Sequence, residues 1–190
     1  MELNRKYFLL YKLFNSSFTG LSVGILFTIY KPLDFPSSIS SLGGIVLATS
    51  MLLIALFYEK LLNINSFFKI SLIVEIVMLF TLLVFLALNI SFISALLIYC
   101  LYQFTFIFGG YLVRAETLVA HDKDFLSKID ILKQIGYLAG LSVSYGFYKV
   151  MEHVYLISEG EMKIRILHYL LIILQLTIII FLLRSFRKKD

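Results

Sequence analysis

No charged residue occurs from Leu88 to Val113, and none from Gln134 to Tyr148. Between these two runs crowd Arg114, Glu116, His121, Asp122, Lys123, Asp124, Lys128, Asp130 and Lys133. A lone charge at the centre of a bilayer costs roughly 2.5–3.5 kcal/mol on insertion scales. The crowded stretch therefore belongs in water, and the two apolar runs lead away from it as the arms of a helical hairpin. Such runs bury their backbone polar groups only as helices. A membrane β-barrel would instead show short alternating segments.

The rest of the chain supports an all-α integral membrane fold. It is 60% hydrophobic and 15% charged with mean hydropathy +0.92, against roughly 25% charged residues in a soluble domain. Six transmembrane helices in one domain are expected over residues 13–31, 39–58, 67–88, 91–113, 129–151 and 166–183. Pro32 and Pro36 mark the first turn, and Asn89 marks a tight turn between the third and fourth spans. Ser127, with Asp130 three residues on, reads as the cap that opens the fifth. The N-terminus lacks a small-residue cleavage site after its apolar run and reads as an uncleaved first span.

Orientation follows from lysine and arginine. The N-terminal segment, the second-to-third loop, the central loop and the C-terminus hold 13 of them, and the opposite face holds Lys31, Lys149, Lys163 and Arg165. Both termini are expected in the cytoplasm, in a bacterial inner membrane. The net charge of +5 reports this topology, not nucleic-acid binding. Cys100 is the single cysteine, so an intrachain disulfide is excluded. No His, Asp or Glu cluster has metal-ligand spacing, and neither metal nor cofactor is expected.

Glycines fall on four of the six spans: Gly20 and Gly24, Gly43 and Gly44, Gly109 and Gly110, then Gly136, Gly140 and Gly146. Glycine in a membrane helix usually marks close approach to another helix. The Gly-free third and sixth spans are therefore expected at the periphery and the others inside, which is a 3+3 pattern of two triplets. Polar side chains recur on one face of several Gly-bearing helices. Span four offers Tyr99, Gln103, Phe106 and Arg114; span five offers Tyr137, Tyr145 and Tyr148; span one offers Asn15, Thr19 and Ser22. These faces are expected to line a shared cavity. Glu75, inside the third span, is a proton-relay or ion-pair site, with Arg114 the second charged residue considered for that role.

Two motifs are discounted. Gly20-Leu-Ser22-Val-Gly24 fits a nucleophile elbow but lies mid-helix with no strand before it. Ser142 with His168 lacks any identifiable oxyanion hole, and the chain is not expected to be an enzyme.

Residues 55–64, ALFYEKLLNI, keep a small residue and the acid–base pair Glu59-Lys60 at the place of the G-x-x-x-D-R-x-G-R-R loop of the major facilitator superfamily. Gly136 and Gly140 fall on the first two glycines of the helix-five motif of its exporter branch. In topology the whole chain resembles one six-helix half of such a transporter. The resemblance implies transport by alternating access, and the expected lining of Tyr, Phe, Gln, Ser and Thr with few charges points to a small neutral or amphipathic solute. The resemblance also implies a second six-helix half, supplied by a homodimer or a partner, with Gly43, Gly44, Gly136, Gly140 and Gly146 at the interface. Glu59, Lys60, Arg114 and Glu116 would form a cytoplasmic gate. The alternatives are a substrate-capturing membrane subunit of a multicomponent importer and a non-transporting membrane assembly protein.

Overall fold

The structure, a computed structural model, describes residues 1–29, 37–88, 92–157 and 159–187. The elements run β1 (Glu2–Leu3), α1 (Arg5–Ile29), α2 (Ser37–Leu56), α3 (Tyr58–Leu61), α4 (Ile64–Ala87), α5 (Phe92–Ile107), α6 (Gly109–Ala120), α7 (Lys123–His153), α8 (Gly160–Ser185) and β2 (Phe186–Arg187). Three helices among the described residues are long and apolar enough to cross a membrane: Ile64–Ala87, Leu96–Ala120 (α5 and α6 together) and Gly160–Ser185. Ser41–Leu56 is a shorter apolar helix. The turns expected at Pro32, Pro36 and Asn89 lie outside the described residues.

Helices outrun the expected spans at several ends. The first begins at Arg5, not 13, and the last at Gly160, not 166. Hydropathy marks only the stretch that suits hydrocarbon, whereas Lys, Arg and Glu are good helix formers and carry the helix on into water. The crowded central stretch shrinks for the same reason to His121 and Asp122. His121 takes a left-handed φ of 57° that ends α6. Asp122 Oδ1 then accepts from Asp124 N at 2.9 Å and caps α7. Ser127 is thus one turn inside the helix and is not its cap. At the α3–α4 junction Asn63 performs a double duty. Its Oδ1 accepts from Ser66 N at 2.9 Å to cap α4, and its Nδ2 donates to Lys60 O at 2.7 Å, tying down the end of α3.

The chain divides into two compact units. The first comprises residues 1–4, 35–126 and 186–190, hence α2 to α6 and the terminal strands. Within it α5–α6 packs on both α2 and α4. Gly43 admits the ring of Tyr99, whose Cζ would lie 2.8 Å from an added Cβ, and a Cβ added at Gly110 would lie 3.0 Å from Met51 Cε. Residue numbers rise together in these two contacts, so α2 runs parallel to α5–α6. Tyr111 Oη donates to Leu61 O at 2.8 Å, and its ring lies 6.2 Å from that of Tyr58. These contacts hold α3 against α6; α4 follows from there and packs on α6 and, further along, on α5, which precedes α6, so α4 runs antiparallel to α5–α6. The terminal strands pair antiparallel, Glu2 with Arg187 and Leu3 with Phe186. Phe186 is buried, its ring 6.0 Å from Phe67 and 5.1 Å from Phe68.

The second unit comprises residues 5–34 and 127–185, hence α1, nearly all of α7, and α8. Phe181, near the end of α8, stacks on Phe14 at 5.3 Å and on Tyr7 at 6.4 Å, so α1 and α8 are antiparallel. Against α7 the approach is closer still. Gly136 is covered by Leu13 O, with Ser17 Oγ 3.2 Å from an added Cβ. Gly140 is covered by Ser17 O, with Leu21 N at 2.8 Å, and Gly20 by Tyr137 O, with Leu141 N at 2.9 Å. Rising numbers make α1 and α7 parallel. A glycine Cα–H turned at a carbonyl oxygen adds a weak hydrogen bond to the packing. This backbone-to-backbone seam is what glycine alone permits.

The expected inner and outer helices need correction. The Gly-free expected spans 67–88, in α4, and 166–183, in α8, each bury one face: Phe67, Ser71, Glu75, Leu82 and Phe85 on α4, and Leu167, His168, Leu171, Gln175, Ile178 and Leu182 on α8. Each exposes the other. Gly-bearing α2 is the more exposed helix, with Leu42, Ile45, Val46, Leu52, Leu53 and Leu56 all open. Large aliphatic side chains make a complementary buried face as well as glycine does, so glycine content alone does not rank helices by depth.

Candidate functional site

The expected cavity residues meet different fates. On α5, Gln103 has its Oε1 buried with no hydrogen-bond partner, and so has Tyr148 its hydroxyl on α7. Tyr99 is half-buried with its ring over Gly43. Asn15 and Tyr137 are half-buried too, in the unit that holds α1 and α7. Thr19 Oγ1 donates to Asn15 O at 3.3 Å and Ser22 Oγ donates to Thr19 O at 3.1 Å. The stripe on α1 therefore satisfies part of its own polarity along the helix.

Phe106 and Tyr145 are 54% and 68% exposed, too open to line an enclosed cavity. A step of three residues turns about 60° away on a helix, so Phe106 beside Gln103, and Tyr145 beside Tyr148, fall at the edge of the face that buries their neighbours. Lys149 lies 6.0 Å over the Tyr145 ring, a contact typical of a helix surface.

The expected gate does not form on one surface. Glu59, Lys60 and Arg114 are exposed, whereas Glu116 is buried. Arg114 and Glu116 are two residues apart on α6, about 200° around the helix, so they cannot share a face. The expected interface glycines divide as well. Gly136 and Gly140 are filled by α1 of the same chain, and Gly43 by Tyr99, so none of the three can receive a second copy. Gly44 and Gly146 have open space beside them.

Glu75 is buried on α4. One turn before it on the same face stands Ser71, 1% exposed, whose Oγ has no hydrogen-bond partner. Ser71 was not among the expected residues. The legible signal is its place four residues before the single carboxylate inside that run. Ser142 and His168 are each engaged along their own helices: Ser142 Oγ donates to Leu138 O at 2.9 Å, and His168 Nδ1 sits 2.8 Å from Ile164 O. Among the described residues no group of three His, Cys, Asp or Glu is placed to hold a metal ion.

Sequence reading also missed the pair that closes the α7–α8 hairpin. Lys163 Nζ donates to Glu152 Oε1 at 2.9 Å, with the lysine nearly buried and the carboxylate half-exposed. The hydrogen bond and charge of Lys163 hold the Glu152 carboxyl below its ordinary value of 4.5, helped by Lys149 and His153. A carboxyl lowered on folding contributes stability above its unfolded value and loses it as pH falls through the folded one. Stability is therefore expected to decline below pH 4.5, and Glu152→Gln to flatten that decline in a detergent unfolding series.

No protein family, curated protein or solved structure matches the chain.

Proposed function

We propose that the chain is a transport unit of the bacterial inner membrane, one six-crossing half that works with a second copy or a partner. Its cargo is a small neutral or amphipathic solute, moved by alternating access. One observation carries this reading. The first helix packs parallel to the fifth through Gly20, Gly136 and Gly140 and antiparallel to the sixth. The fourth, α5–α6, packs parallel to the second through Gly43 and Gly110 and antiparallel to the third. Exchanging helices one, two and three with four, five and six leaves that pattern unchanged. An inverted pair of triplets has this signature, and transporters built from such repeats place their substrate where the repeats meet.

Two further features agree with it. The pairing of β1 with β2 brings the two ends together, which an even number of crossings requires. Gln103 Oε1 and Tyr148 Oη, buried without partners, leave hydrogen-bonding capacity that water or a solute can take up.

The test is a cysteine series at Tyr99, Gln103, Tyr137 and Tyr148 in a Cys100→Ser background, probed with a membrane-impermeant thiol reagent in oriented vesicles. Labelling at Gln103 and Tyr148 is expected, and solute that protects them identifies the cargo. Absence of labelling from both sides at all four positions would defeat the proposal.

A further inference from the structure

The fourth crossing is interrupted at its middle. Leu96–Ala120 is one apolar run long enough to span a membrane, yet its helix stops at Ile107 and restarts at Gly109. Phe108 between them has a ψ of −7°, well away from the helical value of about −42°. One turn earlier Thr105 Oγ1 donates to Tyr102 O at 2.8 Å, and a hydroxyl that draws on a backbone carbonyl in this way bends a helix. Gly109 and Gly110 follow the break, and neither is there to admit a neighbouring backbone. Among the described residues, a Cβ added at Gly109 meets no atom within 4 Å, and one added at Gly110 meets the tip of Met51, a flexible side chain that is itself exposed. Neither glycine has a positive φ. What glycine supplies here is therefore a backbone that no side chain restricts. Gly44 stands in equally open space within the unbroken α2, so open space alone does not interrupt a helix.

Different neighbours hold the two sides of the break. The Tyr99 ring over Gly43 holds α5 to the first half of α2. The Tyr111 hydroxyl on Leu61 O, with its ring beside Tyr58, holds α6 to α3. α3 is in turn parted from α2 at Phe57, with φ −99° and ψ 9°, and from α4 by Leu62 and Asn63, which are not helical either.

We propose that the fourth crossing is hinged at Phe108–Gly110, and that α6 swings with α3 about this joint and Phe57 while α5 stays with α2. The use of the swing, as the cytoplasmic step of alternating access, rests on the function proposed above; the hinge itself does not. α6 has 12 residues, which makes it about 18 Å long at helical rise. A change of about 20° in the bend therefore carries its far end sideways by about 6 Å.

Double electron–electron resonance on the full-length protein in liposomes tests this, in a Cys100→Ser background with spin labels at exposed positions. Leu53→Cys with Leu118→Cys reads α6 against α2, and Ile45→Cys with Leu97→Cys reads α5 against α2. The distances of the first pair are expected to spread over about 6 Å more than those of the second. Gly109→Ala should narrow the first pair toward the second, whereas Gly44→Ala, at an open glycine outside the joint, should leave both as they were. A first pair no broader than the second overturns the hinge. So does a first pair that Gly109→Ala leaves broad, or that Gly44→Ala narrows as much. No solute enters the measurement, so a rigid crossing leaves the transport proposal standing, and failure of the cysteine labelling leaves the hinge standing.

Discussion

Gly140→Ala is expected to loosen α1 from α7 and to destabilise the protein by about 2 kcal/mol or more. The methyl group would stand against Ser17 O, with Leu21 N at 2.8 Å, and both are backbone atoms that no rotamer change can move aside. Overfilling a packed contact costs about 1–3 kcal/mol, and the backbone collision places this site at the upper end. Alanine returns up to about 1 kcal/mol of helix propensity, which is too little to compensate. Gly136→Ala meets Leu13 O in the same way. The two share one partner helix, so their effects should fall short of a sum. Gly146→Ala is the internal control. With open space beside it, it should be neutral or gain up to about 1 kcal/mol. Unfolding by denaturing detergent, followed by circular dichroism, separates the cases. If Gly140→Ala behaves like Gly146→Ala, the α1–α7 seam described above is wrong.

Phe186→Ala should be as damaging, through a different cause. Its ring is 5% exposed and lies against Phe67 and Phe68. Truncating a buried phenylalanine costs about 3–5 kcal/mol through lost transfer energy and the cavity left behind. The terminal ladder adds little of its own, because two residues of strand are marginal without a packed side chain. Removing the ring should therefore release both strands together. Amide hydrogen exchange at Leu3 and Phe186 would rise in the variant while the helices of the second unit keep their protection. Unchanged exchange at Leu3 would show that the ladder stands without the aromatic anchor.

How much of this was legible depends on which physical signal each feature leaves in the chain. The apolar runs are legible because hydrocarbon penalises each charge separately, and the helical class follows from them. Gly20, Gly136 and Gly140 are legible as contact points, since few other reasons place glycine at four-residue spacing in a membrane helix. What fills them is not. The same glycines suit a neighbour within the chain or a second copy, and only the fold assigns α1 to them. Helix ends were misplaced because hydropathy falls where Arg5, Lys123 or Glu161 begin while helix propensity does not. Ser127 was a reasonable cap by composition, yet Asp122 next to a left-handed His121 stopped and restarted the chain five residues sooner. The gate failed on simple periodicity, with Arg114 and Glu116 on opposing faces of one helix. The terminal ladder and the Glu152–Lys163 pair join residues that no local pattern connects.

The second unit is assembled from the two extremes of the chain, α1 and the α7–α8 hairpin. During synthesis α1 leaves the ribosome first, and the surfaces that cover Gly20, Leu13 and Ser17 leave it last. Throughout that interval α1 lacks the helices it packs on, and the hydroxyls of Ser17, Thr19 and Ser22 are answered by carbonyls of its own backbone. A message cut short before α8 would yield helices two to four able to collapse on one another beside a first helix stranded without its mates. Quality control in the membrane would then see an orphaned segment, not a partly finished protein.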